Sequence, residues 1–215
     1  MRAVMTYARF RHLAIERAQQ APTDDDLVAI EAELGAKLPG SFREFLGVAH
    51  GGYIEYSIDV TLEGGATDSL SFSDIFRAVG SGSGSILKEL AAAREINEVP
   101  QGVLPFARDG GDSIVFLDLS RAEQQPVVAF VQGRPAWTGR ARDSQFIELA
   151  PSFDDYVARL HIDRELLLDQ LEQDASEVAH VEASEEWLDI GMPGWRERDE
   201  ELNAAVLAAR KRVGG

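Results

Sequence analysis

The chain has 215 residues, of which 45% are hydrophobic, so it can bury a real core; it has no cysteine, which excludes a disulfide framework and a thiolate metal site. Its 37 acidic and 21 basic residues give a formal net charge of −16, a balance that repels nucleic acid and suits either plain solubility or a basic protein partner. No apolar run reaches membrane-spanning length and Ala3 to Ala8 is too short and mixed for the apolar part of a signal peptide, so a cytoplasmic protein is expected.

Residues 1–22 read as a lead-in helix, with Val4, Tyr7, Ala8, Phe10, Leu13 and Ile15 as its apolar positions and Ala21-Pro22 as its break. Thr23 then supplies a side-chain oxygen for the free N–H groups of a helix in which Asp24, Asp25 and Asp26 favour the positive end of the dipole. Leu27, Ile30 and Leu34 share one face of it, and Gly35 is placed to end it in the left-handed conformation. A second helix starts at Pro39, with Phe42, Phe45, Leu46 and Ala49 on its apolar face, and Gly51-Gly52 stops it. From Ile54 to Leu62, apolar and polar residues alternate, as in a half-buried antiparallel strand whose polar side, with Glu55 and Asp59, meets solvent or a partner.

Further strands are expected at 69–72, at Ser113–Leu119 in a central position, at Val127–Val131 and at Phe146–Leu149. The Gly- and Ser-rich run 80–85 lacks the Lys-Ser/Thr ending of a phosphate-binding loop and reads as a connection into a helix over Ile86–Ile96. Helices lie mostly before and after the strands. The class is therefore α+β, a mainly antiparallel central sheet with helices on one face. Beyond Leu160, the stretch Asp163–Asp189 holds ten acidic residues against one basic, Arg164. Leu166, Leu167, Leu171 and Val178 give it an apolar stripe, Trp187 and Trp195 flank the Pro193-Gly194 break, and a last helix carries acids at its start and Arg210, Lys211 and Arg212 at its end. Either the extension braces the core or it contacts a partner.

Gly35 to Gly52 with its Leu38-Pro39 joint, Leu104 to Ala107 with Phe116 to Asp118, and Ser152-Phe153 together resemble the SUKH superfamily (SMI1/KNR4-like), which includes fungal cell-wall regulators and many bacterial immunity proteins that neutralise toxins. The first is Gly35 with Leu38-Pro39, Phe42, Phe45-Leu46 and Gly51-Gly52, where His50 stands in the place of the usual Asn. The second is Leu104-Pro105-Phe106-Ala107, looking like the family's Pro-Phe-Ala turn, followed by Phe116-Leu117-Asp118; the third is Ser152-Phe153, opening a closing helix. The resemblance implies an SUKH-like domain over residues 23–160, between the lead-in helix (1–22) and an acidic helical extension (161–215). It also implies a cognate toxin as partner, bound by occlusion; the alternative is an intracellular regulatory or scaffold module of the same fold.

Candidate chemistry is sparse. No two of His12, His50, His161 and His180 have helical metal-site spacing, and no nucleophile motif accompanies them. His50 reads as a helix cap. Asp109-Gly110-Gly111-Asp112 lacks the spaced oxygen ligands of a calcium loop and reads as a turn. No catalytic residue, metal or cofactor is assigned. The expected partner-binding residues are Glu55, Asp59, Asp109, Asp112, Glu182, Glu185, Glu186 and Trp187.

Overall fold

The computed structural model describes residues 7–62, 65, 67–80, 82–110, 113–121, 124–133, 136–138, 143–173 and 177–214. Val4 and Asp112 therefore lie outside the described residues.

The expected lead-in helix is instead a β-hairpin over residues 8–15. Strand β1 (Ala8–Phe10) pairs antiparallel with β2 (Leu13–Ile15), and Arg11 makes the tight turn at φ 55°. Leu13, Ala14 and Ile15 are all buried, because β1 packs on helix α2 (Gly40–Ala49) and β2 meets helix α6 (Val178–Gly191) of the C-terminal extension. Three consecutive buried residues cannot be satisfied by a helix with one apolar face; a strand covered on both sides satisfies them.

Helix α1 (Asp24–Leu34) and helix α2 (Gly40–Ala49) follow the sequence closely. Thr23 and Asp26 form a reciprocal capping box, and Gly35 closes α1 at φ 69°. After α2, Gly51 takes φ 61° and Gly52 lies so close to β2 that a Cβ there would meet Ile15 Cγ2 at 2.6 Å. The double glycine thus lets the chain leave α2 under the hairpin.

The strand expected over residues 54–62 is shorter. Regular pairing begins only at β3 (Ile58–Thr61), which joins β4 (Thr67–Leu70) in a separate two-stranded sheet, so the strand expected at 69–72 is also displaced. The alternation still holds: Ile54, Tyr56, Ile58, Val60 and Leu62 are all buried. Before β3 the segment makes single bridges, Tyr53 to Glu16 and Asp74, and Ser57 to His161, which stitch it between hairpin and extension.

The central sheet has five antiparallel strands in the order β5 (Asp74–Ile75), β6 (Val103–Arg108), β7 (Ile114–Asp118), β8 (Val127–Val131) and β9 (Gln145–Ala150). Pro105-Phe106-Ala107, expected as a turn, sits inside β6 at a bulge opposite Phe116 and Val115. A bulge is where a strand tolerates a residue without an N–H. One face of the sheet presents Leu104, Phe106, Val115, Leu117, Ala129 and Val131 to the main core. Phe106 packs edge-on against Phe42 of α2 at 5.4 Å and against Phe153 and Tyr156 of α4 (Phe153–Arg159) at 5.8 and 5.7 Å; Phe45 meets Phe10 at 5.3 Å. Apart from Phe10 of the hairpin, these rings come from the three motif segments, and each edge-to-face pair adds about 0.5–1.5 kcal/mol beyond its burial. The other face carries Val103, Phe116 and half-buried Val128 and Phe130; α3 (Ile86–Asn97), which gives Ile86 and Leu90 to the main core, reaches it with Ala93, and Val99 follows.

The extension forms α5 (Arg164–Gln173), α6 (Val178–Gly191), α7 (Trp195–Arg198) and α8 (Glu200–Gly214). It shares the main core: Leu167, Leu171, Val181, Trp187, Leu188, Trp195, Leu202 and Val206 are buried, whereas Leu166 is exposed. Arg164 pairs with Asp199 and Glu201 at 2.5 Å each, locking the start of α5 to the start of α8.

Candidate partner-binding surface

Hairpin, middle segment and extension meet around Tyr7, whose hydroxyl donates to the Ala183 carbonyl at 3.4 Å. Desolvation raises the Tyr7 phenol well above its usual range, and the negative charges of Glu16, Glu186 and Glu55 raise it further. Glu55 itself is raised, first by desolvation and then by Glu16, while a hydrogen bond with Gln170 opposes the shift. Glu16 and Glu55, from separate parts of the chain, thus repel one another, and Glu186 adds its negative charge at Tyr7. A small cleft of about 150 Å³ beside Glu55 is lined by Tyr53, Ser57, Ser71, Ser73, Gln170 and Trp187.

The other expected contact residues are divided by the structure. Asp59 is exposed on β3, 3.8 Å from His161 Nε2. The Asp109 N–H donates to the Ser113 carbonyl at 3.1 Å and its Oδ1 accepts from the Ser113 N–H at 3.1 Å, so it ties the end of β6 to the residue before β7. Glu182 and Glu186 are exposed on α6. Glu185, between them in sequence, instead lies between Arg210 at 2.6 Å and Arg196 at 3.6 Å and clamps α6 to α7 and α8. Trp187 is only 7% exposed and packs edge-on against Tyr56 at 5.8 Å. It anchors the extension, and a partner would meet its neighbours on α6 before its ring. The burial expected of this aromatic anchor is met against Tyr56, where its area is removed from water.

His50 is the C-cap of α2 and buried; its Nε2 accepts from the Val79 N–H at 3.3 Å. Desolvation, and then the Arg77 charge, lower its pKa, so it caps the helix as a neutral ring and not as the cation that the dipole alone would favour. Asp118 is also structural, accepting from the Ser120 N–H at 3.0 Å and pairing with Arg121 at 3.2 Å. Among the described residues no group of three His, Cys, Asp or Glu is placed to hold a metal ion, and no helix is long and apolar enough to cross a membrane.

Two groups that bear on the site were missed in the sequence. Glu31 is 5% exposed and accepts from the Leu38 N–H at 3.1 Å, Lys37 at 2.6 Å and Arg43 at 2.9 Å, fixing the Leu-Pro joint. Its only signal was a carboxylate on the α1 face shared with Leu27 and Leu34, opposite two nearby cations. Tyr56 was counted as one more apolar position of a strand; its hydroxyl accepts from the Ala14 N–H and donates to the His12 carbonyl, both at 2.9 Å, tying the hairpin down.

The fold is α+β, and its three motif segments converge on one aromatic core. The family model described as SMI1 / KNR4 family (SUKH-1) matches residues 21–159, and the chain belongs to that family. A search of curated proteins finds no match to the chain. The hairpin up to residue 15 and all of α5–α8 lie outside the matched span.

Proposed function

We propose that the chain is an immunity protein that binds a cognate bacterial toxin, a basic nuclease-like domain, and occludes its active site or substrate groove without catalysis or a cofactor. The observation that carries this reading is the convergence of Glu16, Glu55 and Glu186 about Tyr7. Folding gains nothing from the repulsion between Glu16 and Glu55 or from gathering negative charge about Tyr7, whereas a basic partner would relieve it on binding. Family membership and the net charge of −16 support it. Glu55, Asp59, Glu182 and Glu186 act as the acidic field that attracts the toxin, and Asp109 and Glu185 hold its scaffold.

The test is co-expression. When the protein encoded immediately upstream of this chain's gene is toxic on its own, producing this chain beside it should restore growth, and the two should purify as one complex. A folded, abundant chain that gives neither protection nor complex would overturn the reading.

A further inference from the structure

The face of the central sheet turned away from most helices is built by residues other than the acids above. Register places Ile114, Phe130 and Phe146 in one row across β7, β8 and β9, and Phe116, Val128 and Glu148 in the next. The Phe146 ring lies 5.1 Å from Phe130 and 6.3 Å from Phe116. Ala93 and Val99 cluster with Val103 and Phe116; Ile114, Val128 and Phe130 pack half-buried against them, and Phe146 remains 55% exposed. Between that cluster and Phe146 runs an open groove of about 420 Å³, walled by Val99, Val103 and Val128. Two more large apolar side chains stand out on elements that bound this face: Ile96 at the end of α3, 76% exposed, and Trp137 in the β8–β9 connection, 86% exposed.

The groove has an acidic rim. Glu98, Asp118 and Glu148 line it, with Arg121 as the opposing cation, 3.2 Å from Asp118 and 3.7 Å from Glu148. An exposed aromatic ring seated on half-buried apolar neighbours beside a groove with a charged rim is the anatomy of a protein-binding hot spot. We infer that this sheet face is the anchoring surface for a basic protein partner, which inserts an apolar side chain beside Phe146 while its Lys or Arg side chains meet Glu98 and Glu148. Charge complementarity selects this occupant. A second copy would set acidic rim against acidic rim in a chain of net charge −16. Combined with the proposed function, on which the identity of the partner rests, this divides the work: the carboxylates near Tyr7 attract the toxin, and the aromatic face holds it.

The experiment titrates the isotope-labelled full chain with a cationic amphipathic peptide of alternating Leu and Lys, and with a control in which Gln replaces Lys. Binding of the Lys peptide should shift the amide signals of residues 98–99, 128–130 and 146–148; the Gln peptide should bind at least about tenfold more weakly. Phe146→Ser should weaken Lys-peptide binding about tenfold, the loss of one hot-spot side chain. Because Phe146 is largely exposed, the variant should keep its melting temperature, and Phe146→Thr, with better strand propensity, repeats the measurement if it does not. Shifts confined to residues 55 and 182–186, or unchanged affinity in both variants, would overturn the proposal. So would a dimer in sedimentation that Phe146→Ser disperses, since the occupant would then be a second copy. The two readings fail separately: full protection from the toxin by Phe146→Ser sinks this surface and leaves immunity standing, whereas peptide binding through Phe146 in a chain that protects from no toxin sinks immunity and leaves the surface standing.

Discussion

Single side chains that the sequence presents as ordinary carry much of the geometry. Glu31 was legible only as one acid among 37, yet it holds the Leu38 N–H and two cations at the joint between α1 and α2. Burial opposes its ionisation, and the bonds from Lys37, Leu38 and Arg43 overcome that cost, so its carboxyl stays below the ordinary range. The sign for stability follows. A depressed folded-state pKa means the unfolded chain takes up the proton first, so the stabilisation is complete above the ordinary carboxylate pKa and is lost as pH falls through the folded value. Glu31→Gln keeps the size but weakens the acceptor and removes the charge that Lys37 faces, leaving Arg43 with Asp24 at 3.0 Å; it should cost about 1–3 kcal/mol at pH 7. Urea midpoints measured from pH 7 down to 3 should also fall less steeply in the variant than in the parent chain, and parallel curves would show that Glu31 titrates as an ordinary exposed acid.

Among the elements, those with a local cause were readable and those with a distant one were not. Capping by Thr23 and Gly35 and the period of α2 need only neighbours in sequence, and α1, α2, β7, β8 and β9 stand where those signals put them. The hairpin over residues 8–15 has no such signal. Its strands exist because α2 and α6 cover them from both sides, and half of that cover is supplied some 170 residues later by an extension whose docking cannot be read from spacing. The same long reach hid the role of Trp187, which the sequence offered as a contact residue and the structure spends on Tyr56. Trp187→Ala should therefore behave as a core truncation, lowering stability by about 3–5 kcal/mol. Hydrogen exchange would locate the damage: protection should fall in α6 and also at Ala14 and Tyr56, because the hairpin loses its outer cover. Faster exchange limited to α6 would show that the hairpin stands on the family domain alone.

For the molecule as a whole, charge and shape act over different distances. The three SUKH segments are legible because their aromatic rings converge on Phe106 and Phe153, a requirement of the core that any chain with this fold must meet. The surface obeys no such requirement, so sequence gave acidic candidates without saying that Glu185 is consumed within the extension or that Phe146 stands open. What survives this sorting is a net charge of −16 acting from outside contact range, where solvent and salt screen it over about 10 Å at 0.1 M ionic strength. Rim and long-range charges act on encounter, whereas buried apolar contacts act on escape. For a basic partner, the association rate should then fall at least about tenfold between 20 mM and 150 mM salt while the dissociation rate changes little. Replacing Glu55, Glu182 and Glu186 together with Gln should flatten that salt dependence, and Phe146→Ser should leave it intact while speeding dissociation. Stopped-flow association measured across both variants separates the two, and an on-rate indifferent to salt in the parent chain would mean that the acidic surface serves solubility alone.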